Sequence, residues 1–175
     1  MVEYLLTIPE LEVIVLDNNS DYPPLLEWMD TNPCKIERLD ANYGNFVLWS
    51  IPTAIPGFEK PNFREKYNLE GRQYILSDGD LDLSGVPKDF VQVLQEGLRR
   101  FPWAVKCGLS LEINDLPDTE VAREALKWEA NNWTKIDDRY IRAAVDTTFA
   151  LYTGVGEQND FDRCIRTDRP WTARH

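Results

Sequence analysis

The apolar triplet Tyr74-Ile75-Leu76 runs directly into Ser77-Asp78-Gly79-Asp80-Leu81-Asp82, which places three carboxylates within five positions. Asp78 and Asp80 stand two apart, so a continuing strand turns both to one side, and a chain that turns after Ser77 lets both converge. Either geometry permits a bound cation. Hard oxygen ligands favour Mg2+ or Mn2+, and Mg2+ is commonly held by one or two carboxylates together with substrate phosphates, so the remaining ligands would come from a diphosphate. Such a cation offsets the charge that grows on a departing nucleotide, a need shared by phosphate-transfer and glycosyl-transfer chemistry. Asp-Gly-Asp is equally an ordinary turn sequence, and a solvated acidic loop is the plainer reading. Neither GxxxxGKS, GxxxxGKT nor GxGxxG occurs in the chain, which argues against a P-loop or a dinucleotide fingerprint.

Three other positions bear on the same chemistry. Asp17 ends the run Val13-Ile14-Val15-Leu16 and is suited to accept a hydrogen bond from a base or ribose, although Asp17-Asn18-Asn19-Ser20 is also common turn chemistry. Asp146 lies inside Ala143-Ala144-Val145-Asp146-Thr147-Thr148-Phe149-Ala150-Leu151, where a carboxylate is costly unless it faces a polar site, an exposed face or a strand end. His175 is the single histidine and the last residue, either a frayed end or a metal ligand, and Trp171 supplies an aromatic anchor for that segment.

The elements that must carry these residues alternate. Leu11 to Leu16 reads as a buried parallel strand, Pro23 and Pro24 open a helix with Leu25, Leu26, Trp28 and Met29 behind them, and Lys35 to Leu39 reads as a second strand. From Asn42 to about Leu69 the pattern weakens, with Pro52, Pro56, Gly57 and Pro61 in a long connection of the kind that is functional or poorly ordered. Pro87 then opens a helix whose Phe90, Val93, Leu94, Leu98 and Phe101 recur on one face. Val105 to Ile113 reads as a strand, Val121, Ala125, Trp128 and Trp133 as the inner stripe of an acidic helix, and Ile141 to Tyr152 as the last strong strand. Strands alternating with helices indicate an α/β layer fold with a mainly parallel sheet.

Composition limits the alternatives. The chain has 175 residues, 43% hydrophobic and 28% charged, enough for one domain with a substantial core. Acidic residues outnumber basic ones 30 to 19, for a net charge of −11, so nucleic acid is a poor partner. No run approaches the roughly 20 apolar residues of a membrane span, so no transmembrane segment is expected. Met1-Val2-Glu3-Tyr4 lacks the features of a signal peptide, and three scattered cysteines fit reduced thiols, which together imply a cytoplasmic chain. A donor carrying two negative charges needs local cations, for which Arg166, Arg169 and Arg174 are candidates.

Taken in order, Val13-Ile14-Val15-Leu16-Asp17-Asn18-Asn19-Ser20, Asn42-Tyr43-Gly44 and Tyr74-Ile75-Leu76-Ser77-Asp78-Gly79-Asp80 resemble the nucleotide-sugar-dependent glycosyltransferases of family 2 type. Asp80 to Pro87, Leu109 to Asp118, Asp146 to Tyr152 and Thr172 to His175 are similar to segments of a small microbial and viral subgroup. The resemblance implies a GT-A fold, a three-layer sandwich with a mainly parallel central sheet, as a single domain over residues 1–175. It implies that Asp17, with Asn18 beside it, contacts the nucleotide, that Asp78 lies on the ribose or metal side, and that Asp80 binds Mn2+ or Mg2+. Asp82 is the alternative if the motif is read one step later. His175 would approach the metal and diphosphate from the carboxyl-terminal side.

For an inverting transfer a carboxylate must deprotonate the acceptor hydroxyl, and the resemblance offers Asp146 and Asp115, with Asp146 favoured. Trp128, Glu129 and Trp133 would shape an acceptor pocket, although helix packing accounts for the tryptophans equally well. The activity implied is transfer of a hexose or deoxyhexose from a nucleoside-diphosphate sugar, UDP being the expected nucleotide, to a sugar hydroxyl in glycan or surface-polysaccharide synthesis. The partners would be that donor and a glycan acceptor; the oligomeric state stays open. Members of the family begin with an apolar strand and helix before the strand that ends at Asp17, and relatives continue past His175 with a short aromatic tail. The expectation is therefore a domain truncated at both ends, without its first βα unit and with weakened donor binding. A nucleotidyltransferase and a non-catalytic sugar- or protein-binding module on the same fold are the rival readings.

Overall fold

The β-branched run ahead of Asp17 forms the strand expected of it, and the prolines after it open the expected helix. The computed structural model describes residues 1–44, 47–48, 62–130, 133–145, 148–155 and 160–175. They divide into two compact units, Val2–Asn68 and Leu69–His175, the second including Met1.

In the first unit, α1 (Val2–Leu5) precedes β1 (Ile14–Asp17), α2 (Pro23–Thr31), β2 (Lys35–Arg38) and α3 (Phe63–Lys66). β1 and β2 pair in parallel from Ile14 opposite Lys35 to Asp17 opposite Arg38, so β1, α2 and β2 make a βαβ unit. Pro23 and Pro24 occupy the first turn of α2, where a missing N–H costs nothing. Of its predicted stripe Met29 is buried, and the Trp28 indole N–H donates to Glu3 of α1 at 2.8 Å. Glu37 of β2 accepts from Lys66 at 2.7 Å and from the Tyr67 hydroxyl, which ties α3 to the small sheet.

The second unit contains β3 (Tyr74–Leu76), α4 (Phe90–Arg100), β4 (Lys106–Gly108), β5 (Ser110–Leu111), α5 (Glu120–Ala130), β6 (Thr134–Lys135), β7 (Tyr140–Arg142), β8 (Ala150–Tyr152), β9 (Cys164–Thr167) and β10 (Thr172–Ala173). Six strands form one sheet in the order β3-β8-β4-β9-β7-β6. Within it only β4 and β9 pair in parallel; the other four pairings are antiparallel. The chain is thus mixed α/β, and the larger sheet is mostly antiparallel where a mainly parallel one was expected. Two features of the sequence produce this. Asp137 accepts the N–H groups of Arg139 at 2.8 Å and Tyr140 at 3.0 Å, folding β6 and β7 into a hairpin. The run read as one strand from Ile141 to Tyr152 is two strands, β7 and β8, which lie apart in the sheet.

α4 carries the core on one face of this sheet. Phe90, Val93, Leu94 and Leu98 are all buried, each contributing about 1.5–3 kcal/mol. Gly97 lets the helix come so close that an added Cβ would stand 2.8 Å from the Tyr140 ring and 2.9 Å from Cys107 Sγ. On the other face, Gly108 is covered by the Val145 side chain.

α5 turns a different face inward from the one expected. Val121 and Trp128 are 78% and 75% exposed, whereas Ala122 is buried and Leu126 and Glu129 are half-buried. Glu129 is drawn inward by Arg166 of β9, 3.0 Å away, and that pair sets the rotation of the helix. One residue's shift turns a helix by about 100°, enough to bring the apolar stripe to the surface. Among the described residues no helix is long and apolar enough to cross a membrane.

Candidate functional site at the acidic sheet edge

Both β3 and β4 run antiparallel to β8, and β9 runs parallel to β4, so β3, β4 and β9 all point one way. Their carboxyl ends therefore share one edge, the place where α/β sheets commonly hold ligands. Residues 77–84, 109–115 and 168–175 issue from those three ends.

Beyond β3 the chain bends at Gly79 and then runs to a bridge at Asp82. Leu81 and Leu83 are buried at 3% and 1%, alternating with exposed Asp80, Asp82 and Ser84. This period of two puts Asp80 and Asp82 on the same outward side. Asp78 is also exposed. The Asp82 carboxylate accepts the Ser84 N–H at 2.8 Å, which holds its carboxyl below the usual range.

The last residues return to this edge as a strand. β10 pairs in parallel with β5, and Arg174 exchanges backbone hydrogen bonds with Asp82 at 2.9 and 3.0 Å. The Trp171 indole N–H donates to Asp89 at 2.7 Å, so this aromatic is an anchor as expected. Arg169 donates to both oxygens of Glu112, at 3.0 and 3.1 Å, and lies 4.6 Å over the Trp133 ring. The Thr172 hydroxyl lies 3.2 Å from the same carboxylate. The Arg169 guanidinium in the first place, helped by the Asn114 N–H, holds the Glu112 carboxyl down at about 2. Gly85, Glu112, Arg169, Pro170, Thr172 and Arg174 line a shallow cleft of about 270 Å3.

This return brings several sequence-predicted residues together. His175 Nε2 lies 3.2 Å from Asp80 Oδ2, both side chains being well exposed. The Arg174 guanidinium donates to Asp115. One carboxylate oxygen and one imidazole nitrogen side by side form a donor pair that fits a divalent ion when the imidazole is neutral. Among the described residues no group of three or more His, Cys, Asp or Glu side chains is placed to hold an ion, so water or phosphate oxygens would have to complete the shell.

Asp17 and Asn18 belong to the first unit. Asp17 is only 6% exposed at the carboxyl end of β1 and accepts the Ser20 N–H at 3.2 Å. Asn18 uses both ends of its amide, accepting from the Tyr43 N–H at 2.7 Å and donating to the Gly44 carbonyl at 3.1 Å. Gly44 has φ of +75°, a conformation that favours glycine, so Asn42-Tyr43-Gly44 is a fixed loop beside Asp17.

Asp146 and the proline-rich residues 49–61 lie outside the described residues. Arg166, weighed as a phosphate partner, instead points into the sheet face toward Glu129. Glu112 was not singled out from the sequence. Its signal was faint: a charge between Leu111 and Ile113 in an otherwise apolar run. Compared with protein-family models, curated proteins and solved structures, the chain matches none.

Proposed function

We propose that this protein is a metal-dependent glycosyltransferase of GT-A type that moves a hexose or deoxyhexose from a nucleoside-diphosphate sugar, UDP being the favoured nucleotide, to a sugar hydroxyl. One observation carries the reading: the chain returns as β10 and brings His175 to 3.2 Å from Asp80, two residues 95 apart in sequence that the family resemblance assigns to one cation. The βαβ arrangement of β1, α2 and β2, with Asp17 buried at the strand end, supports a nucleotide-binding role for Asp17 and Asn18.

In this reading Asp80 and His175 hold Mn2+ or Mg2+, with Asp78 and Asp82 as the neighbouring carboxylates. When bound, the ion supplies positive charge to the diphosphate as it departs. In an inverting transfer the acceptor oxygen bonds to the anomeric carbon, the bond from that carbon to the diphosphate oxygen breaks, and the acceptor proton passes to a carboxylate. The resemblance favours Asp146 as that proton acceptor over Asp115, which is engaged by Arg174.

Calorimetric titration of UDP, then GDP and dTDP, with and without Mn2+, tests the reading. Metal-dependent binding that disappears in Asp80→Ala is the expected result; an unaltered titration in that variant overturns the site. A non-catalytic sugar- or protein-binding module has one observation in its favour, since Glu112 and Asp115 are already occupied by arginines of the returning segment. Sugar binding that ignores both metal and nucleotide would select it.

A further inference from the structure

Arg169 and Arg174 are the cations of the shallow cleft at the acidic edge, and each already has a carboxylate of its own. Arg169 gives Nε–H and one Nη–H to the two oxygens of Glu112, at 3.1 and 3.0 Å, and Arg174 gives its Nε–H to Asp115. Asp115 in the first place, then Asp82 and Glu112, favour the charged form of Arg174. Two guanidinium ions thus face Glu112, Asp115 and Asp82, and an incoming anion meets no net positive charge. An ionised phosphate oxygen only accepts hydrogen bonds, so it has nothing to give those carboxylates and is repelled by them.

A hydroxyl group both accepts and donates. Neighbouring hydroxyls on one ring therefore suit a wall in which guanidinium and carboxylate groups alternate. The cleft keeps the remaining Nη–H groups of both arginines for such a ligand, together with the lone pairs of the Thr172 hydroxyl, whose proton goes to Glu112 at 3.2 Å. Pro170 and Gly85 supply the apolar part of the wall. A volume of about 270 Å3 lies just under the range of about 300–1,000 Å3 that takes a drug-sized ligand, which limits the occupant to a single ring.

We propose that this cleft binds one ring of a neutral sugar through Arg169, Thr172 and Arg174 and turns away a diphosphate. As a sugar site the proposal stands by itself; as the acceptor site it rests on the glycosyltransferase reading, in which the ring lies beside the cation pair because His175 follows Arg174.

Gly85 provides the test. Apart from its chain neighbours, the only atom within 4 Å of a Cβ built there is an Arg174 Nη at 3.6 Å, and its backbone is outside the left-handed region, so the fold accepts a side chain that projects toward the cleft. The full chain, labelled with 15N, is titrated without metal or nucleotide with the neutral methyl glycosides of glucose, galactose, mannose, rhamnose and N-acetylglucosamine, and separately with inorganic pyrophosphate. At least one glycoside is expected to shift the amides of Gly85, Thr172 and Arg174 saturably, and pyrophosphate is expected to leave them in place. Gly85→Val is expected to weaken that glycoside by about tenfold or more while the amides of α4 stay as in the parent. Thr172→Val, which removes the hydroxyl and keeps the shape, is expected to weaken it as well. No saturable shift with any glycoside up to about 100 mM overturns the site, as does unchanged affinity in both folded variants. Saturable binding of pyrophosphate at the same amides overturns the discrimination. Repeating the glycoside titration with UDP and Mn2+ separates the two claims: an affinity that responds to them supports the acceptor role, and one that ignores both leaves the sugar site standing and defeats the glycosyltransferase reading alone.

Discussion

Arg174 and Asp82 hydrogen-bond to each other through both backbone groups, while the Arg174 guanidinium reaches across to Asp115. One residue of the returning segment thereby joins the acidic stretch after β3 to the loop after β5. The geometry of Asp80 depends on this splice, because Asp80 has no sheet ladder of its own and His175 is the next residue along. Trp171 anchors the splice, so Trp171→Ala is expected to destabilise the second unit by about 1–2 kcal/mol through the lost bond to Asp89 and the lost cation–π contact with Arg139. Urea denaturation measures it, and a loss under about 0.5 kcal/mol would mean that the anchor carries no weight.

His175→Ala is expected to weaken Mn2+-dependent UDP binding by at least the roughly tenfold that loss of even an outer-shell partner costs a metal site. Calorimetry reads this directly. Equal affinity in parent and variant would remove His175 from the cation's neighbourhood.

Acid should release the returning segment late. Because Arg169 holds the Glu112 carboxyl down at about 2, the fold favours its ionised form. Its contribution is complete above the ordinary carboxylate value of 4.5 and is lost as pH falls from there through about 2. Fluorescence of Trp171 and Trp133 through an acid titration follows the loss. In Glu112→Gln the step assigned to this carboxyl should vanish, and an identical acid profile in the variant would refute the assignment.

Gly97→Ala sets two magnitudes against each other. Alanine in a helix interior gains up to about 1 kcal/mol over glycine, while forcing a methyl into a packed core costs about 1–3 kcal/mol. Here the methyl would meet Tyr140 at 2.8 Å, Cys107 at 2.9 Å and Ile165 at 3.1 Å, three side chains fixed in the sheet, so the clash wins. Net destabilisation in a thermal melt is expected; a raised Tm would show that the helix can shift.

The two faces of α5 should respond oppositely to substitution. Trp128→Ala, at a side chain 75% exposed, is expected to change stability by less than about 0.5 kcal/mol. Glu129→Ala leaves Arg166 buried without its carboxylate and is expected to cost about 3 kcal/mol or more. Equal effects would mean that the helix is rotated from the orientation described.

What the sequence made legible follows from local chemistry. β1, α2, β2, β3 and the apolar face of α4 were readable because each has a run or a period that needs no distant partner. β9 was not, since Arg166 in a central strand reads as surface until Glu129 and the Ala144 carbonyl are known to wait for it. The same pair hid the true face of α5. The break between β7 and β8 was equally invisible, because the run from Ile141 to Tyr152 carries no Gly or Pro to mark where it leaves the sheet. At the acidic edge, Asp80 and Asp82 were foreseeable from spacing. Glu112 and its grip on Arg169 were not, because a lone glutamate gains its role only from a segment 57 residues away.

The returning segment also governs the order of folding events. Its contacts join residues 59, 82 and 95 positions apart, from Arg174 to Asp115, Trp171 to Asp89 and His175 to Asp80. Closing loops of that length before any contact rewards it is entropically unfavourable, so such pairings consolidate after the rate-limiting barrier. Substitutions at Trp171 or Arg174 are therefore expected to shorten the lifetime of the folded second unit more than they slow its formation.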